Sequence, residues 1–173
     1  MSFSLDITEE TKTLWREFLD KLTLSERVLP ETVLSKQTTI QMFWQQSAYA
    51  VRLSQKYPEW LVSLVESVNS SDIEKIVNEE SKLFLDVDDE NEFKQQIRKL
   101  RHRCSLHICW NDLILQQEVF NILKQQSDLA NHCMRFAVDW SRNKLLDRYG
   151  LPRNDQGDEV HPVSYTHLRA HET

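Results

Sequence analysis

From Phe93 to Tyr149 the chain contains neither a glycine nor a proline, and only Gly150 and Pro152 end the run. No strand-and-turn architecture fits such a stretch, because hairpins and tight turns draw on those two residues. Apolar residues recur there at helical spacing. The first half carries Phe93, Ile97, Leu100, Cys104 and Ile108 in one stripe and Leu106, Trp110 and Leu113 in another. The second half carries Val119, Ile122, Leu123, Leu129, Cys133, Phe136, Ala137 and Trp140. Two long amphipathic helices are expected, turning near Leu115, with packing on more than one side of the first. Lys144 and Arg148 suit the C-terminal end of the second, Gly150 its C′ position, and Pro152 the stop just beyond.

The remainder reads the same way. With 2 Gly and 4 Pro in 173 residues, turn chemistry is scarce throughout, against an ordinary usage of about 7% and about 5%. A helix opening at Thr8 carries Leu14, Trp15, Phe18 and Leu22. Pro30 punctuates. A helix from near Thr38 carries Ile40, Phe43, Trp44, Ser47, Ala48 and Val51. Pro58 restarts the chain at a first helical position, followed by Leu61, Leu64, Val65 and Val68. Ser71-Asp72-Ile73-Glu74 has the form of a capping box ahead of Ile73, Ile76, Val77 and Phe84. The acidic loop Asp86–Glu90 offers N-cap carboxylates to the long pair. The fold class expected is all-α, a helical bundle with two long C-terminal helices. Residues 1–37 form an N-terminal helical segment and residues 38–160 the main helical region. The Gln pairs at 45–46, 95–96, 116–117 and 125–126 read as exposed filler.

The composition, 40% hydrophobic and 28% charged, is that of a folded domain with one sizeable core. The formal charge of −6 argues against a general nucleic-acid binder. No apolar run approaches the roughly 20 residues that span a bilayer, and MSFSLDITEETK lacks the parts of a signal peptide. A cytoplasmic protein is expected, with Cys104, Cys109 and Cys133 as reduced thiols. Residues 161–173 are foreign to the helical pattern. Val163–Thr173 resembles a translated sequencing adapter, so this tail is expected to be non-native; a genuine unstructured terminus is the other reading.

The chemistry-bearing residues form no complete catalytic constellation, and no catalytic residue or metal ligand is assigned. Arg98, Lys99, Arg101, His102 and Arg103 are the one dense basic cluster. On a helix they spread around most of the circumference, so a solvated surface competes with contact of Arg101 and one neighbour to a phosphate or to a carboxylate of another domain. His102, Cys104, His107, Cys109, His132 and Cys133 lack zinc-finger spacing. Asp86-x-Asp88 has neither a strand to aim it nor a glycine-rich loop upstream. P-loop, Rossmann and nucleophile-elbow motifs are missing.

Two segments carry a family resemblance. SAYAVRLSQKYPEWLVSLVES, from Ser47 to Ser67, is similar to a family segment with a Ser, an apolar helix and then His/Tyr-Pro-Glu-Trp/Leu-Leu. LRHRCSLHICWNDL, from Leu100 to Leu113, is similar to F-R-R-R-x-M-x-R-I-A-W-R-D-L. Leu129-Ala130, Ala137, Asp139-Trp140, Tyr149-Gly150-x-Pro152 and Gly157 continue the match in order. Together, over roughly residues 40–160, they resemble the N-terminal helical region of the bacterial glutamine synthetase adenylyltransferase family. The departures are His102 and His107 for Arg, Ser105 for Met and Asn111 for Arg.

The resemblance implies a whole enzyme that transfers AMP from ATP to a tyrosine of glutamine synthetase and removes it by phosphorolysis. ATP and Mg²⁺ would be its cofactors and a PII-type signalling protein its regulator. The α/β nucleotidyltransferase core, with Gly-Lys-Leu-Gly-Gly…Asp-x-Asp, would follow this region and is absent from this sequence. This chain is therefore expected to need no cofactor, to lack activity, and to meet the missing catalytic domain. By the same resemblance Arg101, Arg103 and Asp112 are motif positions for a phosphate or interdomain contact. A stand-alone all-α regulatory or interaction module is the alternative, and a helical metal-dependent enzyme a third.

Overall fold

A computed structural model describes residues 7–24, 30–66, 73–82, 84, 87–153 and 156. Eight helices and no β-strand occur among them: α1 (Glu9–Leu24), α2 (Glu31–Ser35), α3 (Gln37–Gln46), α4 (Ala48–Lys56), α5 (Pro58–Glu66), α6 (Ile73–Ser81), α7 (Glu90–Leu113) and α8 (Val119–Tyr149). The all-α expectation holds. The residues group into two compact units, divided within α8 after His132. Val68, the Ser71–Asp72 half of the capping box, Asp86, Gly157 and the 161–173 tail lie outside the described residues.

The first unit is built around one apolar cluster fed by α1 to α5 and by one stripe of α7. Thr8 opens α1 as expected, its Oγ1 accepting from the Thr11 amide at 3.3 Å. Trp15, Phe18 and Leu22 then point inward. Trp15, Phe18 and Trp44 form a ring triangle with centroids 5.6 to 6.1 Å apart, and Phe43 meets Trp110 of α7 edge-on at 5.1 Å. Tilted and edge-on pairs of this kind suit the aromatic quadrupole. Leu61, Leu64 and Val65 of α5 complete the cluster.

One expectation is corrected here. The helix read continuously from Thr38 past Val51 breaks at Ser47, which takes an extended conformation (φ −146°, ψ 103°) and accepts from the Ala50 amide at 3.1 Å. A Ser hydroxyl stands in for the missing backbone acceptor and lets a helix restart without glycine or proline. The break turns α4 away from α3, so that both can lie against α7.

The expectation that α7 packs on more than one side is met. Leu106 and Trp110 join the main cluster. Phe93, Leu100, Cys104 and Ile108 form its other buried stripe, and α6 packs against α7. Asp89 caps α7, accepting from the Glu92 amide at 2.8 Å. After Leu113 the chain turns through Gln116, whose φ of 49° is left-handed, and the Gln117 amide reaches back to the Asn111 carbonyl at 3.1 Å.

Here the exposed-filler reading of the Gln pairs fails, since one member of each, Gln45, Gln96, Gln117 and Gln125, is half-buried. The fully buried Asn111 amide donates to Gln125 Oε1 at 2.9 Å, and Gln125 donates to Gln117 Oε1 at 2.9 Å. A buried amide needs a partner, and Gln125 of α8 supplies it while Gln117, just before the helix, holds Gln125 in place.

The second unit holds α8 beyond His132. Gly150 ends the helix with φ 74°, its amide donating to the Leu146 carbonyl at 2.8 Å. That is the left-handed glycine stop expected from the sequence.

Candidate functional site

Arg101, Arg103 and Asp112 all lie on α7, and the helix distributes them. At about 100° per residue Arg103 points away from Arg101, while Asp112 returns to the Arg101 side about 16 Å further along the axis. They do not converge on one ligand.

Arg103 is committed to the fold. Its Nη1 donates to Glu80 Oε1 at 2.7 Å and its Nη2 lies 3.4 Å from Glu79 Oε2. Glu80 is buried. The pair fastens α6 to α7, leaving Glu80 Oε2 and Arg103 Nε without a hydrogen-bond partner among the described residues. An arginine held by two carboxylates is not free to grip a phosphate.

Asp112 is exposed. Its carboxylate acts on Cys109, whose thiol is pushed above its ordinary range mainly by burial and further by Asp112, against a hydrogen bond to Ser47 at 3.6 Å. The thiol form is therefore favoured, the opposite of an activated nucleophile. Cys104 is buried. Among the described residues no three His, Cys, Asp or Glu side chains group in a way that could hold a metal ion. With Gly150 the one described glycine, no glycine-rich cradle for nucleotide phosphates is present among them either.

Arg101 has company that sequence spacing did not reveal. Packing of α4 against α7 brings the Tyr49 hydroxyl to 2.9 Å from His102 Nδ1 and sets the Arg52 guanidinium 5.3 Å from the Tyr49 ring centroid. His102 is held below its ordinary pKa by burial first, and then by the charges of Arg101, Arg52 and Lys56. Arg52, Lys56 and Arg101 are all exposed. The signal in the sequence was the i,i+4 pair Arg52 and Lys56, which gains meaning only once α4 is known to lie on α7.

The two segments that carry the family resemblance also meet in space. Ser47 to Ser67 supplies Ser47 and Tyr49, and Leu100 to Leu113 supplies Cys109 and His102, their contact partners.

Residues 38–166 match the glutamate-ammonia ligase adenylyltransferase family. Two curated relatives are each a bifunctional glutamine synthetase adenylyltransferase/adenylyl-removing enzyme. The one from Thioalkalivibrio sulfidiphilus is 27% identical over 117 residues, 66% of this chain and 12% of the relative. The one from Shewanella loihica is 24% identical over 136 residues, 78% of this chain and 14% of the relative. A third of the same description, from Idiomarina loihiensis, is 22% identical over 165 residues and is covered to 16%. The chain thus spans about an eighth to a sixth of the length of these relatives. No solved structure matches it. With three quarters of its sequence matched in one continuous stretch, the chain belongs to the glutamate-ammonia ligase adenylyltransferase family.

Proposed function

We propose that the chain is the N-terminal helical part of a bifunctional glutamine synthetase adenylyltransferase/adenylyl-removing enzyme. It would serve as a scaffold beside the catalytic core and perform no chemistry of its own. The observation that carries this reading is the junction of the two family-like segments. They are not loose similarities on separate surfaces but the two faces of one packed α4–α7 contact. In the whole enzyme, ATP and Mg²⁺ would be handled by the core that follows. Glutamine synthetase would be the substrate protein, and a PII-type protein would set the balance between AMP transfer and its phosphorolytic removal. A cytoplasmic location fits these partners. No described helix is long and apolar enough to cross a membrane.

Purified chain incubated with glutamine synthetase, ATP and Mg²⁺ should neither add AMP nor, with adenylylated enzyme and phosphate, remove it. Robust turnover in either direction overturns the scaffold reading. A second test replaces the matched region of the Thioalkalivibrio sulfidiphilus relative with residues 38–160. An active chimera supports the assignment, and a soluble, folded but inactive one counts against it.

A further inference from the structure

We propose that Arg52, Lys56, Arg101 and His102 form a docking surface for an acidic polypeptide segment, one that presents several closely spaced carboxylates. The inference rests on surface chemistry and goes beyond the family reading. Tyr49 joins the two helices here, its hydroxyl 2.9 Å from His102, the neighbour of Arg101, and its ring 5.3 Å from the Arg52 guanidinium, with Lys56 one turn further along α4, in a chain whose formal charge is −6. No described carboxylate makes an ion pair with Arg52, Lys56 or Arg101, whereas Lys12 and Lys94 each have one and Arg103 has two. The concentration is therefore uncompensated within the described protein. The cost of holding like charges together shows at its centre, where Arg101, Arg52 and Lys56 all disfavour protonation of His102.

Geometry selects the occupant. The cationic groups are exposed and spread over two helices, with no buried donor set to enclose a single ion. One exposed ion pair is worth about 0–1 kcal/mol, so a lone phosphate gains little here, while a chain of carboxylates engages three sites at once. A nucleic acid would need a longer basic stripe to offset the repulsion of an acidic protein. The nearest described acidic stretch on α7 is its own N-terminal cap, out of reach of this surface. Asp89 caps the same helix twelve residues before Arg101, about 18 Å away along a rigid axis.

His102 gives the surface a reporter. A bound carboxylate favours the imidazolium, whose Nδ1–H then donates to the Tyr49 oxygen, so docking raises the His102 pKa. By linkage the segment binds more tightly at pH 6 than at pH 8.

The test titrates the full chain with a capped hexaglutamate peptide, reading affinity by fluorescence anisotropy and His102 by its imidazole proton resonances, assigned with H102Q. Binding is expected to weaken as salt rises, and His102 to titrate higher at saturation. The triple variant R52Q/K56Q/R101Q should bind about tenfold more weakly, the product of three exposed pairs, with an unchanged helical spectrum. The variant K12Q/K94Q should bind as the parent does. The proposal is overturned by absence of binding, by equal affinity of the triple variant, or by an unmoved His102. It is equally overturned if inorganic phosphate displaces the peptide at concentrations comparable to the peptide's own, which would mark a discrete phosphate subsite. Self-association of the chain that the triple variant abolishes, with no peptide binding, would replace the partner with a second copy.

Discussion

Helix α7 buries eight of its side chains, Phe93, Leu100, Cys104, Leu106, His107, Ile108, Trp110 and Asn111, whereas the longer α8 buries Ile122 and Leu129. Both helices carry apolar residues at helical spacing, and α8 is the richer in them. The difference lies in their neighbours, since α3, α4 and α6 all pack on α7. On α8, Val119, Phe120 and Leu123 of the first unit and Met134, Val138, Leu145 and Tyr149 of the second stay exposed. Periodicity reports that a helix has an apolar face. It does not report that something covers it.

The contrast is broken most forcefully in α7. Leu100 is fully buried, so Leu100→Asp places a carboxylate where it can be neither hydrated nor paired. A loss of about 4 kcal/mol or more is expected, lowering the melting temperature by roughly 10 °C. Ile108→Asp should behave alike. If either variant melts with the parent, the buried stripe of α7 is wrongly assigned.

Next in size is the α6–α7 clasp. Arg103→Ala leaves Glu80 buried without its cation, and a loss of about 3 kcal/mol is expected in denaturant titrations. The double variant Glu80→Leu, Arg103→Leu removes both charges and should lie within about 1 kcal/mol of the parent. A double variant worse than Arg103→Ala alone would show that the pair does more than avoid an orphaned carboxylate. Asn111→Ala tests the other end of α7. It strips the amide that donates to Gln125, which Gln117 holds in turn, at an expected cost of about 2 kcal/mol.

How much of this was legible beforehand follows from what each feature depends on. The stripes Trp15–Phe18–Leu22 and Leu100–Cys104–Ile108, the Thr8 and Asp89 caps and the Gly150 stop are local, and spacing alone displays them. The break at Ser47 was not legible, because a serine cap without a Glu or Gln three residues later has no distinctive pattern. Gln117 and Gln125 were misread because a glutamine looks the same in solvent and against a buried Asn111. The candidate site shows the same limit. Arg103 was legible as a cation but not as the partner of Glu79 and Glu80, and the surface around Arg101 needed Arg52 and Lys56 from a helix some fifty residues earlier. Tertiary adjacency is the information that a helical period omits.

A smaller effect comes from pH. The folded pKa of His102 is depressed by burial and by three cations, so the unfolded chain takes up its proton first as the solution is acidified. The neutral imidazole's contribution is fully present above the unfolded value near 6.5 and is lost as pH falls through the depressed folded value. Parent protein should therefore lose more stability between pH 7 and pH 5 than His102→Gln does, measured as the difference between their urea midpoints. Equal slopes would mean that the imidazole does not feel Arg101, Arg52 and Lys56.

The smallest expected effect is the sharpest statement of the contrast between the helices. Val138→Asp in the second unit makes the same kind of change as Leu100→Asp, an aliphatic residue to a carboxylate within a long helix. Val138 is 47% exposed, so the new charge keeps its water, and a change within about 0.5 kcal/mol is expected. Thermal melts of the two variants side by side should differ by most of the Leu100→Asp effect. If Val138→Asp instead destabilises the chain as strongly, that face of α8 is covered in solution. The exposed row of apolar residues would then have to be counted with the core.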